Sequence, residues 1–230
     1  YLNNTGNYGI GLRTSTDAGL TWGATRQIST GIPYAWQLPD LAIDSANNLY
    51  VAYNSNEYAG GSVYNIALRT STDGGLTWGT RRDVTTNSSG GAINPTFVLD
   101  SSGNPYVSYY SAEYNATYNN IALRNSTDGG LTWSARTDIT TSTAMHSYYP
   151  TITRDTSNNI FIAYQSTELN GWNNIALRAS NLGNYGTRKD VTAMTRYDSS
   201  APKVIINTST GVMYMAYYSY EYNANVYNIA

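Results

Sequence analysis

Cysteine is absent from the 230-residue sequence, which removes disulfide stapling, thiol catalysis and cysteine-ligated zinc together. Histidine occurs once, at His146, so multi-histidine metal sites go as well. Charged residues make up only 12%, about half of the roughly 25% usual in soluble domains. With 13 basic against 15 acidic side chains the net charge is −2, leaving no basic field for phosphate backbones. Nucleic acid is excluded as a partner. No apolar run approaches the roughly 18 residues of a membrane-spanning helix, and no segment carries helical periodicity of any length. No cofactor or metal is expected. The N-terminus, Tyr1-Leu2-Asn3-Asn4, has neither an initiator methionine nor a signal peptide, which reads as a processed or excised chain.

What is present is a β-forming vocabulary. Hydrophobic residues reach 41%, enough for a core, and tyrosine outnumbers phenylalanine by 23 to 2. The polar share is Asn, Ser, Thr and Gly rather than charge, which suits an extracellular or cell-surface β-protein. Sequons at Asn3, Asn87, Asn115, Asn125 and Asn207 add weak support for secretion, because the motif is short.

The chain repeats itself. Ile66-Ala67-Leu68-Arg69 recurs at Ile121 and Ile175, with a variant at Ile10 and a last copy beginning at Ile229. The intervals are 56, 55, 54 and 54 residues, close to a propeller blade and too long for helical solenoids. Within one period, Pro95–Leu99 reads as a first strand, Tyr106–Tyr110 as a second, Asn120–Arg124 as a third and Ala135–Ile139 as a fourth. Turn residues separate them. A four-stranded antiparallel sheet that is apolar on both faces cannot bury them alone, and stacking copies around an axis solves this. Pro39, Pro95, Pro150 and Pro202 each stand five residues before a turn residue, as expected for a strand's first position. The fold class is therefore all-β, a propeller of about four repeats, with residues 1–230 as one propeller domain or propeller segment.

Between third and fourth strands lies the most specific motif. Ser15, Asp17, Gly19 and Trp22 recur as Ser71, Asp73, Gly75 and Trp78, and as Ser126, Asp128, Gly130 and Trp133. A fourth copy, Ser180–Tyr185, is two residues shorter and lacks Asp, Thr and Trp, so its turn must be built differently. The pattern S-x-D-x-G-x-T-W resembles the Asp box, or BNR repeat, of the sialidase-like β-propellers. Physically, Asp accepts backbone donors, Gly supplies positive φ, and Trp closes the hairpin by packing inward. Turn chemistry accounts for every fixed position, so the boxes read as structural staples rather than catalytic carboxylates. The resemblance implies the same, since Asp boxes lie away from the active site in that family.

Strand direction alternates, so the first–second hairpins and Asp boxes share one end of the sheets. The second–third and fourth–first loops share the other, where propellers bind ligands. The second–third loops repeat Glu57, Tyr58 and Tyr64, then Glu113 and Tyr114, then Glu168 and Trp172, then Glu221 and Tyr222. The fourth–first loops carry Tyr34 and Trp36, then His146, Tyr148 and Tyr149, then Arg196, Tyr197 and Asp198. Aromatic faces stack on sugar rings, while amides and carboxylates serve hydroxyls. The candidate ligand-binding set on this rim is the second–third loop residues named above with Tyr34, Trp36, Tyr148 and Arg196, and a glycan or an extracellular protein is the partner; the alternative is that each Glu serves donors in its own loop.

Hydrolysis is a second class of function. A sialidase holds its substrate carboxylate with three convergent arginines. Here seven of 11 arginines occupy repeat positions on third or fourth strands, Arg26 and Arg82 lie on outer strands, and Arg154 abuts a hairpin. Only Arg196 is left on the rim, so the triad cannot be assembled. Four equivalent Glu positions argue for symmetry, whereas an acid and a base need different environments. The expectation is a non-catalytic glycan- or peptide-binding propeller. A sialidase-like hydrolase with part of its site in other blades, and a structural surface or filament component, are the alternatives. Residues 1–11 resemble residues 222–230, so the ends read either as closing a four-blade ring or as a window from a larger propeller. Incomplete end blades would allow self-association.

Overall fold

The computed structural model describes residues 9–29, 38–56, 63–87, 89–181, 184–193, 198–219 and 228–229. The described residues form five antiparallel sheets and no helix. The first is a pair, β1 (Gly11–Leu12) with β2 (Arg26–Gln27). The second runs β3 (Asp40–Ile43), β4 (Leu49–Ser55), β5 (Asn65–Ser71) and β6 (Arg82–Asp83). The third repeats that order with β7 (Ala92–Leu99), β8 (Pro105–Ser111), β9 (Asn120–Asn125) and β10 (Thr137–Asp138). In the fourth, β11 (Ser147–Arg154), β12 (Ile160–Ser166) and β13 (Asn174–Asn181) are neighbours, and both β14 (Asn184–Tyr185) and β15 (Lys189–Asp190) pair with β13. The fifth holds β16 (Ser199–Ile206), β17 (Met213–Ser219) and β18 (Asn228–Ile229). This is a β-propeller.

Burial follows strand alternation. On β8, Val107 and Tyr109 pack with Tyr50, Leu68 and Val84 of the preceding sheet. Tyr106 and Tyr110, one residue out of phase, pack with Ile152, Ile162 and Tyr164 of the next. The third sheet thus buries one face backward and one forward, which is why a doubly apolar sheet is stable here. The same relation joins Ile10, Leu12 and Ile28 to Val51, Tyr53 and Ala67.

Two details differ from the sequence reading. The fourth strands are only two residues long, because outermost positions have little left to pack against. The prolines lie inside or before the inner strands and not as their uniform first residue. Pro95, Pro150 and Pro202 fall where the inner-strand register shifts, between Ile93 and Thr96, Tyr148 and Thr151, and Ser200 and Lys203. A bulge releases the ladder position that proline cannot fill. At the chain ends, β1 pairs with β2 and the place beside β17 is held by β18. Among the described residues, the N-terminal pair does not close the fifth sheet.

The Asp boxes form as their chemistry requires. Ser71 Oγ accepts the Gly75 amide at 2.8 Å and donates to Asp73 at 2.7 Å, while Asp73 accepts the amides of Leu76 and Thr77 at 2.9 Å. Gly19, Gly75 and Gly130 have φ of 90°, 80° and 87°, conformations that cost a side-chain-bearing residue energy. The inward tryptophan holds for two copies only. Trp78 and Trp133 pack against core clusters, but Trp22, in the two-stranded first sheet, is 59% exposed. In the degenerate fourth copy β13 continues to Asn181 and pairs with β14, replacing the box by a longer ladder. Adjacent sheets are stitched at this end. Arg26 and Arg82 donate to the Gly74 and Gly129 carbonyls of the next box, and Arg154 donates to the Leu99 carbonyl.

Candidate functional site

The inner strands β3, β7, β11 and β16 contribute to two cavities, one at each end. The cavity at the hairpin end, 520 Å³, is lined by Asp44, Asp100 and Arg154 among others. Those three side chains are occupied locally: Asp44 and Asp100 accept amides of their own turns, and Arg154 bonds Leu99 and Asn158. The cavity at the loop end, 310 Å³, is lined by Leu38, Pro39 and Asp40, then Asn94 to Thr96, then Tyr149 and Pro150, then Ala201 to Lys203. It is the mouth of the central channel on the face where ligand loops were expected.

The mouth is built from one motif used four times. The residue before each proline, Leu38, Asn94, Tyr149 and Ala201, has positive φ of 24°, 57°, 50° and 49°. A left-handed conformation is unfavourable for Leu, Tyr and Ala by about 1–2 kcal/mol each. The side chains at these equivalent places all differ. Those following each proline are Asp40, Thr96, Thr151 and Lys203, one acidic, one basic and two hydroxyl-bearing. One place further along the inner strands, Leu41, Phe97, Ile152 and Val204 are all apolar, although Thr153 and Arg154 break the apolar pattern beyond it in the fourth sheet. Asp40 bridges two sheets, one carboxylate oxygen accepting the Leu41 amide at 3.0 Å and the other the Phe97 amide at 2.9 Å. Lys203 is exposed.

An aromatic cluster adjoins this cavity through Tyr149, which is 43% exposed. Tyr110 meets Tyr148 edge-on at 5.2 Å, and His146 stacks on Tyr148 at 5.2 Å with Tyr118 at its other side, 5.1 Å away. His146 Nδ1 accepts the Asn119 amide at 3.2 Å, which fixes the ring beside the second–third loop. Tyr148, a sequence-level candidate, is therefore the centre of a packed group whose exposed member is Tyr149. Further out, Tyr114 and Trp172 are 41% and 42% exposed, and Tyr64 is half-buried.

Glu113 and Glu168 have internal partners. Glu113 lies 3.2 Å from Arg136, which also pairs with Asp138 at 3.0 Å, and Glu168 lies 2.9 Å from Arg188, which also pairs with Asp190. Glu113 further accepts from Ser111 and from Asn87. The fully buried Tyr109 stands beside this group; burial, reinforced by the Glu113 charge, pushes its hydroxyl up to about 12. Glu57, Tyr58, Glu221, Tyr222, Tyr34, Trp36 and Arg196 lie outside the described residues. Asp40, Asn94 and Lys203 were missed at the sequence level, and Tyr149 was placed on the rim but not among the candidates. The available signal was the break in repeat identity on either side of each proline.

The BNR repeat-like domain family matches residues 3–215. No curated protein matches the chain. An α-L-arabinanase of Penicillium chrysogenum complexed with arabinobiose shares the fold at TM-score 0.65 and 16% identity, covering 91% of this chain and 69% of its own. The GH93 α-L-arabinofuranosidase of Fusarium graminearum with arabinobiose gives TM-score 0.65 at 17% identity, with 97% and 73% covered. A Hadza microbial sialidase, Hz136, gives 0.59 at 14%, with 85% and 46% covered. This chain thus spans between about half and three quarters of the length of these solved proteins.

Proposed function

The chain belongs to the BNR repeat-like domain family, and on that footing we propose that it binds a neutral or weakly charged glycan at the channel mouth without cleaving it. The observation that carries this reading is the loss of repeat identity at the mouth. Four equivalent backbone positions present Leu38, Asn94, Tyr149 and Ala201 inward at positive φ, and strain held at one place by a rigid scaffold is a mark of binding sites. Tyr149 supplies a stacking face, Asn94 and Thr96 supply hydroxyl partners, and the rim aromatics Tyr114 and Trp172 extend the surface. Asp40 and Lys203 offset one another in charge, which favours a neutral ligand over a sialoside. Arabinobiose in two proteins of this fold makes neutral furanosides the first glycans to try.

Support for the non-catalytic half is the commitment of carboxylates. Retaining and inverting glycosidases need two carboxyl groups about 5–10 Å apart with different environments. Asp40 is the carboxylate among the described mouth residues, and both its oxygens accept backbone amides. Glu113 and Glu168 brace their loops through arginines. The chain acts outside the cell or on its surface in this reading. Calorimetry against neutral oligosaccharides, run beside product analysis of the same mixtures, tests both halves. Binding without product is expected. Product that survives repurification and disappears in Asp40→Asn would make the chain a hydrolase.

A further inference from the structure

His146 stands at the joint between the third and fourth sheets and bonds to both. Its Nδ1 accepts the Asn119 amide at 3.2 Å from the second–third loop of the third sheet. Its carbonyl accepts the Thr167 amide at 3.2 Å from just beyond β12. The ring is stacked on Tyr148 at 5.2 Å, within 14° of parallel, and Tyr118 is 5.1 Å away. Tyr148 in turn lies 6.0 Å from Tyr149, and Tyr110 meets the two at 5.2 Å and 6.1 Å. A line of rings thus runs from His146 to Tyr149, which lines the cavity.

One bond in that line depends on pH. An amide donates to Nδ1 only when that nitrogen carries no proton, so the Asn119 bond requires a neutral ring with its proton on Nε2. Histidine is the side chain type that ordinarily takes up a proton between pH 8 and 5, and this chain has one. Tyrosine ionises far above that range, near about 10, and burial pushes Tyr110 higher still. The loops that bond His146 carry Glu113 and Glu168, each held by its own arginine at 3.2 Å and 2.9 Å. Asp40 and Lys203 line the cavity with Tyr149, not with His146.

We propose that His146 is a pH-dependent positioning residue for the mouth. Neutral, it accepts the Asn119 amide and props Tyr148, which holds Tyr149 at the cavity. Protonated, it has two donors and no acceptor, faces an amide donor, and leaves its seat against Tyr148. Ligand affinity then falls with pH. That last step rests on the reading that Tyr149 contacts the ligand; the release of Tyr148 does not. The window lies above the range in which Asp17 and Asp73, held at about 2, take up protons.

Nuclear magnetic resonance of the whole chain tests this, because one histidine gives one imidazole signal. At pH 8 the ring nitrogens should report the proton on Nε2, with cross-relaxation between the ring and Tyr148. On titration to pH 5 that cross-relaxation should fade, and the Tyr149 amide should shift with the midpoint of the imidazole. His146→Asn, whose Oδ1 can still accept the Asn119 amide, should hold the Tyr149 amide still throughout. Calorimetry with the best-bound neutral oligosaccharide should show affinity lower at pH 5 by about threefold or more, up to the roughly tenfold that one hydrogen bond is worth. In His146→Asn the affinity should not change with pH. A proton on Nδ1 at pH 8, or a Tyr148 contact that survives protonation of the ring, would overturn the proposal. So would an equal fall in affinity with pH in His146→Asn. Absence of glycan binding at any pH would remove the glycan reading, and the titration of the free chain would still decide whether His146 props Tyr148.

Discussion

Arg136 reaches Glu113 across its own sheet, Nη1 standing 3.2 Å from Oε2, with both side chains less than a fifth exposed. The arginine comes from the start of a fourth strand and the glutamate from the second–third loop, so the pair ties the ligand-side loop to the sheet's outer edge. Arg188 and Glu168 repeat the arrangement one sheet later. Recurrence in successive sheets marks the glutamates as part of the repeat's architecture.

Glu113→Ala should therefore destabilise the fold. Arg136 keeps Asp138 as a partner, so the loss should be that of charge-assisted hydrogen bonds, about 1.5–3 kcal/mol, below that of a buried charge left alone. Thermal melting measures it. Glycan affinity at saturating folded protein should change little, and a lost affinity at unchanged melting temperature would return Glu113 to the binding set.

The Asp boxes set an acid limit. Asp17 is held at about 2, chiefly by the Ser15 hydroxyl and then by Thr21. Asp73 is held at about 2, chiefly by the Thr77 hydroxyl and then its amide. Both are below the ordinary 3.8, so the folded state binds protons less readily than the unfolded chain. Their contribution is present above about pH 4 and is lost as pH falls toward 2. The melting temperature should drop through that window, and Asp73→Asn should lower it at neutral pH while flattening the drop. Asp73→Ala should leave glycan affinity unaltered; loss of binding without loss of stability would contradict the structural role of the box.

The three tryptophans should separate by sheet. Trp78→Ala, at a side chain packed against Leu12 and its neighbours, should cost toward the lower end of the roughly 3–5 kcal/mol typical of large aromatics. Trp22→Ala, at an exposed side chain, should cost about 1 kcal/mol or less. Denaturant titration of the two variants distinguishes them, and equal losses would contradict the exposure of Trp22.

Much of the fold was legible because each level of the sequence agreed. The 55-residue interval gave the blade, doubly apolar strands gave the stacking, and S-x-D-x-G-x-T-W gave the turn whose hydrogen bonds the structure shows at Asp17, Asp73 and Asp128. The bulges were not legible, because a proline before an apolar strand reads equally well as a strand start. The site was half legible. Loop position and aromatic content pointed to the loop end of the sheets, where one of the two cavities opens, and to Tyr148. They could not tell that Tyr148 packs between Tyr110 and His146 while Tyr149 faces the cavity, since neighbouring residues on an extended strand exchange faces and a positive φ at Tyr149 changes the count.

The charge balance of the mouth makes a further prediction. A neutral glycan held by stacking and hydroxyl contacts should bind with an affinity insensitive to added salt, whereas a contact dominated by Lys203 would weaken as the screening length falls to about 8 Å at physiological ionic strength. Titration calorimetry at low and high salt checks this. A steep loss with salt would point to an acidic ligand on Lys203.

The measurement that bears most directly on the account is calorimetric titration of Tyr149→Ala and Tyr114→Ala with the best-bound neutral oligosaccharide, followed by chromatography of the recovered sugar. Tyr149 lines the channel mouth and Tyr114 lies on the outer loop. The account predicts a loss of about tenfold or more for Tyr149→Ala, ~1.4 kcal/mol, a smaller loss for Tyr114→Ala, and intact sugar throughout. Unchanged affinity in Tyr149→Ala, or cleaved sugar from the unmodified chain, would contradict it.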